Sequence, residues 1–473
     1  MKSLVWFRND LRITDNPTLI ASLESSEFVA GLYCFESKNN SFLGISCNSA
    51  QRRAFVEETL VELKKNLLDI NVPLFVIEHD TLNAICDFVK FNEITKIFIS
   101  EEIAYNEVKL ETELRNRIGN SVEFVVVHSR NLIPPEALPF STNRIPDIFT
   151  HFRKTAEEYF HNITTLPAPS HKNFSNLEAF FLPPNYHAVQ LGISEFKGKM
   201  FIGGESEGLK RLDFYLFTSR AIKTYKETRN GLLSLNDSTK FSPYLATGAL
   251  SARTVYKEIR RYESRYGKNQ STYWVLFELL WRDFFWYIFK KHGSKLFSIN
   301  GIGYAKFEPK AQPEENFEKW CNGSTGYPLI DAAMIELKTT GFQSNRMRQN
   351  TASFLAKNMG YDWRKGAVWF ESQLLDYDVY SNYGNWAYCS GVGNDPKIYR
   401  LFNNLLQAEK YDPHGAFIRR WIPILNEVIP PELYFPTQAT REQVGYSLPI
   451  QDLAITPRPG PDSLKGEQLS LFD

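Results

Sequence analysis

Short apolar runs alternate with longer amphipathic stretches through the first 130 residues. The runs SLVWF, FVAGLYCF, PLFVIE, KIFIS and VEFVVV are rich in β-branched and aromatic residues, which favour strands. Between them, stretches such as SAQRRAFVEETLVELKKNLLDI carry apolar residues at helical spacing. Because strands that alternate with helices form parallel sheets, the pattern predicts an α/β domain with a five-stranded parallel sheet at residues 1–130.

The pattern changes after this domain. Proline, asparagine and phenylalanine punctuate residues 131–205, where we expect an interdomain linker. Over residues 206–430 apolar residues recur at helical spacing, and several of these stretches end at glycine, which is typical of helix C-termini. We therefore predict a larger all-helical domain there, followed by a C-terminal extension at residues 431–473 whose tail is flexible.

Aromatic residues are unusually abundant in the composition. The chain has 473 residues, of which 36 are Phe, 23 are Tyr and 9 are Trp, together 14%. That is enough for stacking on flat ligands as well as for core packing. Lys plus Arg and Asp plus Glu balance at 54 each, so no overall positive field attracts nucleic acid. This argues against a histone-like binder, and any DNA-binding surface must be a local patch.

Cysteine usage and the start of the chain bear on its compartment. The five cysteines are scattered singly and form no CxxC or Cys/His motif, which indicates a reduced cytoplasmic protein without a structural metal site. The opening MKSLVWFRNDLRITDN has early charges and only a short apolar stretch, unlike a signal peptide. No run reaches the roughly 18 apolar residues that a membrane helix needs. We therefore expect neither secretion nor a membrane span.

No dinucleotide-phosphate motif follows the first predicted strand. RNDLRITDNP stands where GxGxxG would be expected, so any dinucleotide is expected in the helical part of the chain. There, Ser238, Thr239 and Ser242 crowd hydroxyls just before Pro243. These hydroxyls would suit N-capping of the next helix or a cradle for phosphate, and the sequence leaves both interpretations open.

A segment of unusual composition, DYDVYSNYGNWAYCSGVGNDP, covers residues 376–396 and has few aliphatic residues. It ends the fifth of six motifs, which are in chain order WFRNDLRITDNP, KFSPYLATGALSART, FELLWRDFFWY, TGYPLIDAAM, the run from NRMRQNTASF to GVGNDP, and YDPHGAFIRRWIP. In this order they resemble the photolyase/cryptochrome family, up to about residue 425. Gln349-Asn350 and the amino-acid sequence of residues 377–396 are most similar to the DASH cryptochromes.

The resemblance implies an FAD cofactor folded into a U inside the helical domain. It places some residues near the pyrophosphate and others nearer the flavin ring and ribose, namely Tyr225, Ser238, Thr239 and Ser242 in the first group and Asp376 and Asp378 in the second. Arg348 is expected to pair with Asp376, because burying either charge alone would cost several kcal/mol. The alternative is that Arg348 and Asp376 are unrelated surface charges.

The resemblance also predicts the surroundings of the flavin ring. Residues 376–386 would form a loop against the ring, and Asn382 would face flavin N5. An amide at that place hydrogen-bonds without titrating, which favours the fully reduced flavin that repair needs. The alternative is that Asn382 only tolerates a left-handed turn before Gly384.

The activity that the resemblance implies is driven by light. Excited reduced FAD donates an electron to a cyclobutane pyrimidine dimer, which then splits. This chemistry needs no metal and no acid–base pair, and the sequence has no pattern of either kind. Glu278 and Trp281 are three positions apart and share a helical face. The resemblance implies that Trp281 stacks on the flipped dimer while Glu278 hydrogen-bonds a pyrimidine edge.

The implied substrate is DNA, with RNA as a further candidate partner, and we expect a monomer. The resemblance adds contacts to DNA phosphates from Arg229, Asn345, Arg346, Lys397 and Arg400. For Arg229, Lys397 and Arg400 an ordinary solvated surface is an equal alternative. Tyr388 stands two positions after Trp386, where ordinary photolyases have a second Trp. A smaller platform fits the single-strand preference that the DASH resemblance implies, because flipping a base costs less there than in a duplex.

Two other functions stay open on the sequence. A blue-light signalling receptor would use the same cofactor, although the tail after residue 440 is short for one. A flavin redox enzyme with a nicotinamide donor would need a second dinucleotide site, which no motif provides. An antenna pigment, 5,10-methenyltetrahydrofolate, is implied at Glu107 of AYNEVKLE, where the alternative is an exposed helix residue.

Photoreduction of the flavin marks a departure from the family. The resemblance supplies Trp386 and Trp363 as electron carriers, but aligning KAQPEENFEKWCNGSTGYP puts Lys310 in place of the third Trp. Lysine cannot carry the electron. We expect an aromatic residue such as Trp369 or Tyr304 to substitute; otherwise the chain of carriers stops at Trp363.

Overall fold

Five parallel strands form the sheet of the N-terminal domain, which confirms the predicted fold class. The computed structural model describes residues 1–37, 41–170, 177–193, 195–196, 198–303, 306–394 and 401–450. The strands are β1 (Lys2–Trp6), β2 (Phe28–Glu36), β3 (Ser41–Phe42), β4 (Ile45–Ser46), β5 (Leu74–His79), β6 (Lys96–Ser100) and β7 (Glu123–Val127). The parallel sheet has the order β5-β2-β1-β6-β7, and β3 and β4 form a separate hairpin.

Both faces of the sheet are buried, which explains the near-continuous apolar runs. Leu4 and Trp6 lie in one core cluster and Val5 and Phe7 in another, because successive side chains point to opposite faces. Four helices accompany the sheet: α1 (Pro17–Ser25), α2 (Ala50–Leu68), α3 (Thr81–Phe91) and α4 (Tyr105–Ile118). The chain first adds strands on one side of β1 and then on the other, so the ends of β1 and β6 meet at a switch point of the topology.

The elements that follow β7 in the described chain are helices and short 3₁₀ turns, as predicted for the larger domain. The helices are α5 (Phe149–Glu157), α6 (Glu205–Asp213), α7 (Tyr225–Thr228), α8 (Ser242–Thr247), α9 (Ala252–Tyr266), α10 (Gln270–His292), α11 (Glu314–Asn322), α12 (Pro328–Thr340), α13 (Asn345–Ser353), α14 (Trp363–Gln373), α15 (Val379–Ser390), α16 (Asn404–Tyr411), α17 (Ala416–Trp421) and α18 (Gln438–Val444). A π-helical turn follows both α6 and α13, at Phe214–Thr218 and Phe354–Asn358.

Helix α10 forms the centre of the helical domain. It begins with a capping box between Asn269 and Thr272 and ends at Gly293, whose φ of 57° suits glycine. Most of its side chains are buried on every side of the helix. Because an all-round apolar helix belongs in a core, its few polar residues are candidates for function.

The predicted linker at residues 131–205 is more than a connector. It contains α5, and Phe149 and Phe152 of that helix are buried against aromatic residues of α10. Just before it, the backbone N–H groups of Leu132 and Ile133 donate to the Asp283 carboxylate at 3.1 and 2.9 Å. The prolines in this stretch suggested a loop, but Phe149, Phe152 and Phe201 form part of the helical core. The bounds of the four predicted segments stay predictions.

The tail after Thr440 was predicted to be flexible, and this is wrong for residues 441–450. Tyr446 is buried, and its hydroxyl donates to Asp331 Oδ2 at 2.5 Å. Arg441 Nη2 donates to the carbonyl oxygen of Gly326 at 3.0 Å. These contacts attach α18 to the segment that starts α12. Residues 451–473 lie outside the described residues.

A buried polar contact joins the two domains. The Arg12 guanidinium donates to the carbonyl oxygens of Asp15 and Gly248 at 2.7 and 2.9 Å. The Asp15 carboxylate in turn accepts from Ser251 Oγ at 2.6 Å and from Arg253 Nε at 3.0 Å. The first motif, RNDLRITDN, therefore fixes the α/β domain against the start of α9.

Candidate functional site

A cavity of about 260 Å³ lies between α7, α8, α10, α13 and the segment that enters α15. It brings together most of the predicted site residues, namely Tyr225, Arg229, Ser238, Thr239, Ser242, Glu278, Trp281, Asn345, Arg348, Asp376 and Asp378. A second cavity of about 70 Å³ shares Asn345, Arg348, Asp376 and Asp378 with the first and adds Asn382 and Trp386. Residues far apart in sequence thus form one continuous site.

The hydroxyl-rich loop before α8 is held from behind by Arg211. Its guanidinium donates to the carbonyl oxygens of Thr239 at 3.0 Å and Ser238 at 3.2 Å. Ser242 is the first residue of α8, and no side chain caps the helix at Phe241. The capping interpretation of these hydroxyls is therefore wrong, and they line the cavity instead.

Arg348 and Asp376 form the predicted buried pair. Arg348 Nη2 lies 2.9 and 2.8 Å from the two carboxylate oxygens of Asp376, and Arg348 Nε donates to the carbonyl oxygen of Gln343 at 2.8 Å. The Asp376 side chain is only 2% exposed. The alternative of two unrelated surface charges is wrong, and the pair joins α13 to the segment before α15.

Residues 376–386 were predicted to form a loop, which is wrong beyond Asp378. Asp378 is the N-cap of α15 and accepts from the Ser381 backbone N–H at 2.7 Å. Gly384 lies inside this helix, where a Cβ atom would come within 2.3 Å of Phe285 Cδ1. The segment looked like a loop because its polar residues cap the helix and line cavities, and because its glycine admits close packing against α10.

Asp378 has a partner that the sequence did not indicate. Arg130, which follows β7, forms a buried ion pair with the Asp378 carboxylate. The Arg130 guanidinium also lies 4.8 Å from the ring centroid of Tyr380 on α15. An isolated arginine at the start of a predicted linker gives no signal of this role. The pair connects the α/β domain to the N-terminus of α15.

Asn382 lies on α15 and is buried beside the second cavity. Its Nδ2 donates to the carbonyl oxygen of Ala367 at 2.9 Å. With Nδ2 engaged, Oδ1 is the group that can accept from a ligand. Because Asn382 is helical, the alternative of a left-handed turn is wrong.

Glu278 and Trp281 share the face of α10 that lines the main cavity. Glu278 Oε1 accepts from Arg229 Nη1 at 2.8 Å. Burial raises the pKa of Glu278, while the charges of Arg229 and Arg346 oppose this rise. Trp281 is stacked on Phe149, with 3.8 Å between ring centroids and 13° between planes. Phe149 lies in the predicted linker and was not recognised as a site residue.

The predicted DNA contacts fall into different environments. Arg229 and Arg346 are both buried, and Arg346 Nη1 donates to Gln349 Oε1 at 3.1 Å. The solvated-surface alternative is therefore wrong for Arg229. Asn345 is exposed at the start of α13. Tyr388 is buried and meets Trp281 edge-on at 6.2 Å. Lys397 and Arg400 lie outside the described residues.

The predicted electron carriers lie on neighbouring helices. Trp386 of α15 is in ring contact with Trp320 at 6.2 Å. Trp363 of α14 is fully buried, donates from Nε1 to the carbonyl oxygen of Ile299 at 2.8 Å, and contacts Tyr383 at 6.4 Å. Lys310 is exposed, and its backbone N–H donates to the Gly360 carbonyl oxygen at 2.8 Å. Trp369 is half-buried, and Tyr304 lies outside the described residues.

A second polar region lies between the two domains. Glu107, in the first turn of α4, is half-buried. Burial, followed by the charge of Glu102, raises the pKa of Glu107 to about 7; Arg8 lowers it and Glu371 adds to the rise. We refer to Arg8, Glu102, Glu107 and Glu371 as the interdomain cluster. The alternative prediction, that Glu107 is an exposed helix residue, is therefore wrong.

The described ranges of the chain contain neither a metal-binding cluster nor a helix suited to span a membrane. Within them, no group of three or more His, Cys, Asp and Glu side chains is arranged to hold a metal ion. None of the helices in this part of the chain is long and apolar enough to cross a bilayer.

Known proteins match both halves of the chain. Residues 3–170 match the family model for DNA photolyase, and residues 274–456 match that for the FAD binding domain of DNA photolyase. Cryptochrome DASH of Synechocystis is 40% identical over 444 residues, which cover 92% of this chain and 90% of that protein. A cryptochrome DASH of Solanum lycopersicum, named chloroplastic/mitochondrial, is 39% identical and covers 90% of this chain and 77% of that protein. The cytoplasmic location accordingly stays a prediction.

Solved structures agree with these matches. A cryptochrome of Synechocystis has a TM-score of 0.86 at 37% identity and covers 95% of this chain and 96% of that chain. A class III photolyase of Agrobacterium tumefaciens has a TM-score of 0.79 at 25% identity and covers 95% of this chain and 94% of that chain. The likeness therefore extends over both domains.

Proposed function

The chain belongs to the photolyase/cryptochrome family and, within it, to the DASH cryptochromes, and on this basis we propose that it is a blue-light-dependent FAD protein that repairs cyclobutane pyrimidine dimers, preferentially in single-stranded DNA. One observation carries the proposal. Glu278 and Trp281 line the same cavity as Arg348 and Asp376. A dimer held by the first two residues would lie next to a flavin held by the other two.

The residues of the cavity fit FAD. Hydroxyls at Ser238, Thr239 and Ser242 suit phosphate oxygens, and the fixed polar pair of Arg348 and Asp376 would help to hold the flavin. Asn382 keeps Oδ1 as an acceptor, which suits an N–H group of a reduced flavin without bringing a charge. When bound, reduced and excited, FAD would supply the electron that opens the dimer. The protein's part is to bind, orient and exclude water.

Glu278 would hold the pyrimidine edge. Its raised pKa keeps more of the carboxyl protonated at a given pH, and a protonated carboxyl donates a hydrogen bond to a pyrimidine carbonyl oxygen. Arg229 holds Oε1 and so fixes the direction of the carboxyl. Trp281, backed by Phe149, would provide a flat apolar platform that keeps water from the dimer.

The buried positions of Arg229 and Arg346 change the proposed DNA contacts. Both guanidinium charges act on Glu278, so we assign them to holding this residue and not to phosphate. Asn345, at the exposed start of α13, is the described residue that we assign to a phosphate contact. Roles for Lys397 and Arg400 stay predictions.

The preference for single strands follows from the cost of flipping. A dimer must leave its helix to enter the cavity, and this costs a few kcal/mol from a duplex and less from a single strand. Tyr388 packs edge-on against Trp281 and is not among the residues that line the described cavities. A single indole platform therefore offers little to offset duplex unstacking.

A repair assay tests the proposed function. Protein with chemically reduced flavin is illuminated with dimer-containing oligonucleotides, single-stranded in one arm and duplex in the other, and restored pyrimidines are counted. We expect light-dependent repair that is faster for the single strand. No repair of either substrate, with the flavin shown to be reduced, would favour the signalling receptor. An RNA arm tests whether a ribose backbone is also accepted.

We also propose that the interdomain cluster binds the antenna pigment, 5,10-methenyltetrahydrofolate. A half-buried carboxyl with a pKa of about 7 in Glu107 is suited to hydrogen-bonding a pterin ring. Pigment released from the purified protein would be identified by its absorbance and mass. Glu107→Ala should lose the pigment while retaining FAD. Equal pigment content in the variant would reject this site.

A further inference from the structure

Tyr383 lies between the buried Trp363 and the half-buried carboxylate of Glu371, and the proposed function does not use it. By the resemblance, the exposed Lys310 stands where the family has its third electron carrier, so the pair Trp386 and Trp363 lacks an obvious donor. Resting on the proposed photochemistry of FAD, we propose that Tyr383 refills Trp363 with an electron and that Glu371 accepts the phenolic proton.

The ring of Tyr383 is held against Trp363. The two ring centroids are 6.4 Å apart with planes at 74°. Phe297 also contacts the Tyr383 ring, with 4.7 Å between the two ring centroids. Tyr383 is 3% exposed and lies one helical turn before Trp386 on α15. A fixed aromatic ring in contact with Trp363 can pass an electron to it.

Glu371 provides the base that tyrosine oxidation needs. The Tyr383 hydroxyl donates to Glu371 Oε2 at 3.4 Å. Burial, followed by the charge of Glu371, raises the pKa of Tyr383 well above its ordinary value, so the resting phenol keeps its proton. An oxidised phenol is far more acidic than a carboxylic acid. The proton therefore moves to Glu371 only when the electron leaves.

The surroundings of Glu371 suit a proton acceptor. Burial raises the pKa of Glu371, and the charge of Arg52 on α2 opposes this. Tyr377, Tyr383 and Cys47 hydrogen-bond to the same carboxylate, and the Glu107 carboxyl of α4 acts on it electrostatically. The carboxylate thus sits at a polar junction of four chain segments, while Tyr383 itself is enclosed.

The step balances in electrons and protons. Bound FAD, oxidised and excited by light, would supply the oxidising equivalent, and Trp386 and then Trp363 would carry it outward. Tyr383 gives one electron to the oxidised Trp363 and its phenolic proton to Glu371, which leaves a neutral tyrosyl radical and a protonated carboxyl. An external one-electron donor such as a thiol then reduces the radical, and Glu371 returns the proton.

Tyr377 offers a matched control for Tyr383. It hydrogen-bonds to the same Glu371 carboxylate. Its ring, however, packs 5.1 Å from the guanidinium of Arg52, and not in the ring contact that Tyr383 makes with Trp363. Removing either hydroxyl costs the carboxylate one hydrogen bond, but only Tyr383 is placed to donate an electron.

Time-resolved absorption after a blue flash tests the inference on FAD-loaded full-length protein. In wild type we expect oxidised tryptophan to convert into a neutral tyrosyl radical, more slowly in deuterium oxide. Tyr383→Phe should lose the tyrosyl signal and return to the resting state by recombination, whereas Tyr377→Phe should keep the signal. Glu371→Gln should slow tyrosyl formation and remove its dependence on pH.

The outcomes separate this inference from the proposed function. Radical spectra and lifetimes in Tyr383→Phe that equal those of wild type would overturn the inference alone. A wild-type protein that forms no oxidised tryptophan under the flash would overturn the photochemistry on which it rests. If Tyr383→Phe does not retain FAD, two other measurements test the inference: tyrosyl formation in Glu371→Gln and its rate in wild type in deuterium oxide. A tyrosyl signal that changes in neither measurement would contradict the role of Glu371.

Discussion

The cavity of the helical domain and the interdomain cluster differ in how their charges are balanced. In the cavity, Arg348 faces Asp376 and Arg229 faces Glu278, each at 2.8 Å. In the interdomain cluster, Glu107 lies near Glu102 and Glu371, and like charges add to burial in raising its pKa. The charges of the cavity are paired before any ligand binds. The interdomain cluster, in contrast, would be stabilised by a ligand that hydrogen-bonds a neutral carboxyl. Mutation should therefore cost the most stability at the buried pairs of the cavity.

Breaking the buried pair of the cavity should have the largest effect. Asp376→Ala leaves Arg348 as a partly buried charge without its carboxylate, and we expect the free energy of unfolding to fall by about 3–5 kcal/mol. Flavin should be lost as well. Urea unfolding monitored by circular dichroism measures the change.

An exposed pair supplies the control for this measurement. Arg53 and Glu78 are also joined at 2.8 Å, but their side chains are 34% and 45% exposed. Glu78→Ala should cost about 1 kcal/mol or less. Equal losses in Asp376→Ala and Glu78→Ala would contradict the view that the cavity depends on its buried pair.

Disturbing the packing of α15 should have an intermediate effect. Gly384→Ala places a methyl group within 2.3 Å of Phe285, and such overpacking costs about 1–3 kcal/mol. Helix propensity alone would favour alanine by about 1 kcal/mol, so the sign of the change is diagnostic. Gly208→Ala in α6 is the comparison, since its nearest contact is 3.1 Å. A Gly384→Ala protein that is more stable than wild type would contradict the close packing.

The interdomain cluster should respond to pH by a smaller amount. Glu107 titrates at about 7 in the folded protein and near 4.3 when unfolded. Folding therefore favours the protonated form, and stability from this group is lost as the pH rises through that range. Glu107→Gln should be more stable than wild type at pH 8, relative to pH 5, by about 1–3 kcal/mol. Glu113→Gln, at an exposed position of α4, should show no such difference.

Much of the fold could be predicted because burial patterns are local. The five strand positions follow from short apolar runs, and α10 follows from a long one. The helical state of residues 379–390 could not be predicted in this way. Its glycine and polar residues are explained by contacts with α10 and with the cavities, which are distant in sequence.

The candidate site shows the same division. Its predicted cofactor and substrate residues come from motifs, and the structure brings most of them into one cavity. Arg130 and Phe149 were missed, because each is an ordinary residue in a stretch that looks like a loop. The pairing of Arg229 with Glu278 was also missed, since 49 positions separate the two residues. Such partners depend on how the helices pack.

Glu278 is proposed to hydrogen-bond a dimer beside a flavin that other residues hold. The most direct measurement is single-flash repair of a dimer in single-stranded DNA by wild type and Glu278→Ala, both with chemically reduced FAD and both with measured DNA affinity. Glu278→Ala also leaves Arg229 without its carboxylate, and Glu278→Gln serves as the conservative control.

We expect Glu278→Ala to keep its FAD and most of its affinity for DNA, because phosphate contacts dominate binding. Its repair yield per flash should fall about tenfold or more, as expected for a lost hydrogen bond with a buried partner left unpaired. Equal yields in wild type and Glu278→Ala would contradict the account.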